Sequence, residues 1–77
     1  MCDAEKQKRI KNILDIAYNA LSEKGYDPIN QITGYLISGD PVYITTYQNA
    51  RAYILKVERD EIMEYLIKEY VSKNNKH

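Results

Sequence analysis

This chain of 77 residues has no tryptophan, no phenylalanine, one cysteine and one histidine. A single cysteine, Cys2, cannot close an internal disulfide, so no disulfide framework supports the fold. Cys2 and His77 stand at opposite ends of the chain. That placement argues against a Cys/His nucleophilic pair, a zinc set or any other metal or cofactor site. No apolar run approaches the ~20 residues that a membrane span needs. The first nine residues are mostly charged and no apolar stretch follows them, unlike a secretory signal. Net charge is absent too, with 11 Lys+Arg against 11 Asp+Glu. A basic nucleic-acid binder, an acidic tail and a disordered linker are thereby disfavoured. Together these features predict a single soluble cytoplasmic domain, residues 1–77, with 1–8 and 72–77 frayed.

What is present is helical punctuation. Ile10, Ile13, Leu14, Ala17, Ala20 and Leu21 follow the i, i+3, i+4, i+7 spacing of an amphipathic helix. Gly25 is placed as the left-handed residue of a Schellman stop, with Tyr26 able to reach back to Leu21. Asp27-Pro28 then opens a second helix, the Asp as cap and the Pro at the first helical position. Its apolar stripe is Ile29, Ile32, Leu36 and Ile37, and Gly39 ends it. Asp40-Pro41 repeats the start signal and predicts a short helical turn through Ile44. A third pattern runs Ala50, Tyr53, Ile54, Val57. A fourth runs Ile62, Met63, Leu66, Ile67, Tyr70, with Asp60, Glu61 and Glu64 near its positive end. No segment alternates with period two. The fold class is all-α: a compact bundle of four to five short helices, packed or intertwined as a homodimer.

The dimer is expected on physical grounds. Below roughly 80 residues one core seldom supplies more than ~3–5 kcal/mol. Eight tyrosines supply large amphipathic side chains suited to an interface. The last helix is apolar over a wide arc, which calls for neighbours on two sides. Met63, Leu66, Ile67 and Tyr70 are the expected dimer-interface residues.

Catalytic patterns are weak. Gly34 to Gly39 has the G-x-x-x-x-G spacing of a phosphate loop, but Asp40-Pro41 stands where Lys-Ser/Thr is needed. The acidic residues at the start of the last helix suit its dipole without further role. Residues 10–24 and 28–38 resemble a helix-turn-helix pair, yet the second helix offers Asn30, Gln31, Thr33 and Tyr35 and no cation. Phosphate contacts need basic side chains, so nucleic-acid binding is the alternative reading and protein contact the leading one. Arg51, Leu55 and Arg59 are spaced i, i+4, i+8, with Lys56 close by. On a continuous helix they form a basic stripe around an exposed leucine, a composition typical of protein-binding spots.

The stretches E-K-G-Y-D-P-I-N-Q-I (23–32), G-Y-L-I-S-G-D-P-V-Y-I (34–44) and A-R-A-Y-I-L-K-V-E-R-D-E-I (50–62) resemble the IreB family of small Gram-positive regulatory phosphoproteins. The likeness runs from Ile13 to the last helix. It implies an all-helical homodimer without enzyme activity. It also implies a substrate of a membrane Ser/Thr kinase that controls cell-envelope synthesis and antibiotic tolerance. In some members the control works through Clp-dependent proteolysis of an enzyme that commits precursors to peptidoglycan. Basic residues after S-G-D-P are implicated in regulation, and Arg51 and Arg59 match that pattern. Two departures stand out. The family's phosphorylated Thr lies in an N-terminal arm, whereas no Thr precedes Thr33 here and Ser22 falls inside a helix. Thr45 and Thr46 are secondary phosphorylation candidates. They stand with Tyr47 where the family often has Pro-Arg-His, so one basic group of the regulatory face is missing.

Overall fold

A computed structural model describes residues 3–74; Cys2, His77 and the remaining terminal positions lie outside the described residues. Four α-helices account for most of it: α1 (Asp3–Glu23), α2 (Pro28–Ser38), α3 (Ala50–Ile54) and α4 (Arg59–Asn74). Two 3-10 turns, Pro41–Tyr43 and Tyr47–Asn49, join α2 to α3. Among the described residues there is no strand. The segments 3–8 and 72–74, expected to fray, are helical.

α1 is the spine. Its Ile10, Ile13, Ala17, Ala20 and Leu21 are all buried, as their spacing predicts. The stop forms as expected: Tyr26 N–H donates to Leu21 O (2.9 Å) and Gly25 N–H to Ser22 O (3.0 Å). α2 begins with Asp27 accepting from the amides of Ile29 and Asn30, and Pro28 occupies the first turn. Its buried residue is Tyr35, not the predicted stripe; Ile32 and Leu36 are half-buried, while Ile29 and Ile37 face outward.

The third element is much shorter than its pattern suggests. From Lys56 the backbone tightens to i→i−3 bonds, Lys56 N–H to Tyr53 O and Val57 N–H to Ile54 O. The chain turns there with neither Gly nor Pro, and α4 starts anew at Arg59. The turn lets Ala50, Ile54 and Val57 on one side of it, and Ile62 on the other, all reach the same core. α4 is anchored on α1 by Ile62 and Tyr65, both buried, and by an ion pair from Lys6 to Glu61 (2.9 Å).

Candidate functional site

The G-Y-L-I-S-G-D-P-V-Y-I segment folds into a tightly specified turn. Ser38 Oγ donates to Gly34 O and accepts from Asp40 N–H. Asp40 caps the next turn by accepting from Val42 N–H (3.0 Å). Gln31 Nε2 donates to Tyr43 O (3.0 Å). The Tyr43 ring lies so close to Gly34 that a Cβ there would meet it at 2.5 Å. A side chain at position 34 would therefore push the Tyr43 ring away from α2. The resemblance to a phosphate loop ends here, since Gly34 lies within α2 and Gly39 is its left-handed cap.

Both arginines of the expected stripe hold this turn. Arg51 Nε donates to Ile44 O at 2.8 Å in a half-buried setting. Arg59 Nη1 donates to Leu36 O at 3.0 Å, and its guanidinium packs over Gly39, where a Cβ would meet Arg59 Cζ at 2.8 Å. The two side chains thus bracket residues 36–44 from α3 and from the start of α4. They do not form one helical stripe, because α3 ends at Ile54. Leu55 remains exposed at the corner between α3 and α4, and the Lys56 ammonium sits 5.1 Å from the centre of the Tyr53 ring.

Other sequence candidates have definite positions. Thr45 Oγ1 accepts from Tyr47 N–H (3.2 Å), whereas Thr46 is exposed and its side chain caps nothing. Tyr47 docks onto the end of α1, its hydroxyl donating to Glu23 (3.0 Å) with Lys24 Nζ over its ring. Glu61 accepts from Glu58 N–H and pairs with Lys6. The Lys6 bond and that amide hold its carboxyl below the usual glutamate value. Glu64 lies 3.9 Å from Lys68. Of the residues a helix-turn-helix would present, Tyr35 is buried and Gln31 is tied to the Tyr43 carbonyl. Among the described residues no group of three His, Cys, Asp or Glu is placed to hold a metal. No helix among them is long and apolar enough to cross a membrane.

Three features remain as possible contact surfaces. The first is the outer arc of α4. Met63 (40% exposed), Leu66 (40%), Ile67 (63%) and Tyr70 (69%) are all open to solvent. The second adjoins it: a groove of about 480 Å³ between α1, α2 and α4, lined with Leu14, Tyr18, Ile29, Ile32, Leu36 and Leu66 among others. The third is a groove of about 400 Å³ between α1 and α3, with Lys8, Arg9 and Lys56 at its sides. Lys8 and Arg9 carry no distinguishing signal in sequence, because charges of both signs surround them and only the packing of α3 on α1 brings Lys56 alongside.

The sequence profile of a family described as the IreB regulatory phosphoprotein matches residues 1–72. A UPF0297 protein of Lachnoclostridium phytofermentans is 57% identical over 67 residues, covering 87% of this chain and 76% of that relative. Those matches span the spine, the bracketed turn and most of the last helix, and the chain accordingly belongs to the IreB family.

Proposed function

We propose that this protein is a non-catalytic cytoplasmic regulator that acts by protein contact as a homodimer. The observation that carries this reading is the outer face of α4. A short domain with one modest core leaves Met63, Leu66, Ile67 and Tyr70 in water beside an apolar groove. Contiguous apolar patches of this kind mark interaction sites. A second copy is the occupant that a 77-residue chain needs most, because burying that face adds the hydrophobic stabilisation a small core lacks. The matching family is described as a regulatory phosphoprotein, which supports regulation rather than chemistry.

In this reading the client contact is the corner between α3 and α4. Leu55 and Lys56 present it, and Arg51 and Arg59 fix the backbone around it. As the resemblance implies, the regulator is the substrate of a membrane Ser/Thr kinase and governs cell-envelope synthesis and antibiotic tolerance through regulated proteolysis. Thr46 is the more accessible of the two secondary phosphorylation candidates. Nucleic-acid binding draws no support from α2, whose second-helix face is partly buried and engaged.

Sedimentation equilibrium tests the dimer. The wild-type chain should sediment near twice its 9.0 kDa, and Leu66→Asp/Ile67→Asp should not associate. A wild-type protein of protomer mass at every concentration would remove the dimer. For the client, a quantitative pull-down compares wild type with Leu55→Asp/Lys56→Glu, which leaves both arginine brackets in place. A partner retained undiminished by that variant would move the client site elsewhere.

A further inference from the structure

The α1–α3 groove shares Lys56 with the proposed client corner, but neither the dimer face nor the bracketed turn uses the rest of it. Its floor is apolar: Ile13 is buried, Ile16 is half-buried, and the Tyr53 ring closes one side. Its rim is cationic. Lys8, Arg9 and Lys56 line it against a single carboxylate, Glu5. On a molecule of zero net charge this is a local excess. Other cations of α1 are engaged, Lys6 with Glu61 and Lys11 with Asp15. Among the described residues Lys8 and Arg9 make no close ion pair or hydrogen bond, although the Arg9 charge also acts at longer range on Glu61. Lys56 is pre-positioned instead, held over the Tyr53 ring.

We propose that this groove binds an acidic peptide segment, its carboxylates facing Lys8, Arg9 and Lys56 and an apolar side chain resting on Ile16 and Tyr53. Charge complementarity supplies the reason. Clustered cations beside a low-dielectric floor attract carboxylates and raise the encounter rate with an acidic partner. Arginine adds a planar fork that takes a carboxylate with two parallel bonds. The floor selects a peptide carrying an apolar residue rather than a bare polyanion. A nucleic-acid strand is a poorer match. Strand binding stacks successive bases on aromatic side chains, and Tyr53 is the one aromatic lining this groove. No α4 residue is among those lining this groove, so the site is distinct from the proposed dimer face.

Fluorescence anisotropy on the full chain tests it with a labelled peptide of repeated Glu-Glu-Leu. Its Lys-Lys-Leu counterpart and a labelled oligothymidylate serve as the other arms. The acidic peptide should bind, weaken as salt rises, and lose at least about 10-fold in affinity in Lys8→Glu/Arg9→Glu, a charge reversal at exposed helix positions. Lys56→Glu should weaken it too, whereas Leu55→Asp, a change at the client corner outside the groove, should not, and amide shifts should map to Ile16 and Tyr53. Circular dichroism confirms that each variant stays helical. If Lys8→Glu/Arg9→Glu does not fold, a milder Lys8→Gln/Arg9→Gln pair is read in its place. Absence of binding at millimolar peptide, binding indifferent to the variants, or equal affinity for oligothymidylate would each overturn the proposal. None of these results bears on dimer mass, so its failure would leave the reading of α4 intact.

Discussion

α1 and α4 are both long helices rich in apolar residues, yet they are buried to very different extents. α1 places Ile10, Ile13, Ala17, Ala20 and Leu21 fully inside. α4 buries Ile62 and Tyr65 and leaves Met63, Leu66, Ile67, Tyr70 and Val71 at least 40% exposed. The difference lies in the neighbours. α1 is flanked by α2, α3 and α4, whereas α4 rests on α1 along one edge and is tied to the end of α2 through Arg59 at its start. An apolar position in sequence therefore states that a residue is suited to burial. It does not state which element, or which copy of the chain, performs the burial.

The sharpest test of that contrast is a pair of truncations. Leu21→Ala should cost about 2–5 kcal/mol, the range for a fully buried leucine, and leave little folded protein in a urea melt. Ile67→Ala should leave the fold of a dilute protomer unchanged while weakening association. Equal losses for the two in dilute solution would erase the distinction between the helices.

Next in size is the arginine bracket, which ties the start of α4 to the end of α2. Gly39 has a φ of +77°, so Gly39→Ala should cost about 1–2 kcal/mol in backbone strain alone. It should also displace Arg59 from Leu36 O, since the new Cβ would sit 2.8 Å from Cζ. Arg59→Ala alone should cost about 1 kcal/mol at this exposed position. The double variant should then be less destabilised than the sum, because both changes remove one bond. Strict additivity in thermal melts would show that the two residues do not act together. Arg51→Ala, half-buried and charge-assisted, should cost about 1.5–3 kcal/mol.

A smaller effect of opposite sign is expected between the helices. Gln48 and Asn49 both adopt positive φ, 58° and 60°. Neither the core nor α4 depends on their side chains, so Gln48→Gly should stabilise by up to about 1 kcal/mol by relieving strain. A destabilised Gln48→Gly would mean that its side chain makes a contact worth more than the strain.

The smallest effect concerns the Lys6–Glu61 pair that pins α4 to α1. The pair is solvent-exposed and screened. Glu61 has a folded pKa below its ordinary value. Its contribution is fully present above the unfolded-state pKa and is lost as pH falls through the folded one. Wild-type stability should therefore decline through that acid window with a slope that Glu61→Gln reduces. An unchanged slope in the variant would assign the acid sensitivity to other carboxylates.

The sequence shows some of these features directly and hides others for identifiable reasons. The Gly25 stop, the Asp27-Pro28 start, the Asp40-Pro41 turn and the α1 stripe depend on neighbours within a few residues, so they are legible. The sequence pattern does not mark Tyr35 or Tyr65 as core. Tyr35 reads as polar in a helix surface, and Tyr65 falls outside the Ile62, Leu66, Tyr70 spacing. The break after Ile54 has no Gly or Pro to announce it and follows from two elements reaching one core. Spacing and the motif likeness both single out Arg51 and Arg59. Their partners, Ile44 O and Leu36 O, are backbone carbonyls that no sequence pattern can specify. Lys8 and Arg9 became visible as a site only beside Lys56.

By itself the sequence determined an all-helical chain, the positions of its turns, the buried stripe of α1 and membership of the IreB family, because these rest on local spacing, caps and order of residues. The tertiary structure alone decided that the arginines clamp the bracketed turn, that α3 stops short and that α4 keeps an open apolar face. Those outcomes depend on contacts between residues distant in the chain, where packing and backbone carbonyls, rather than side-chain type, select the arrangement.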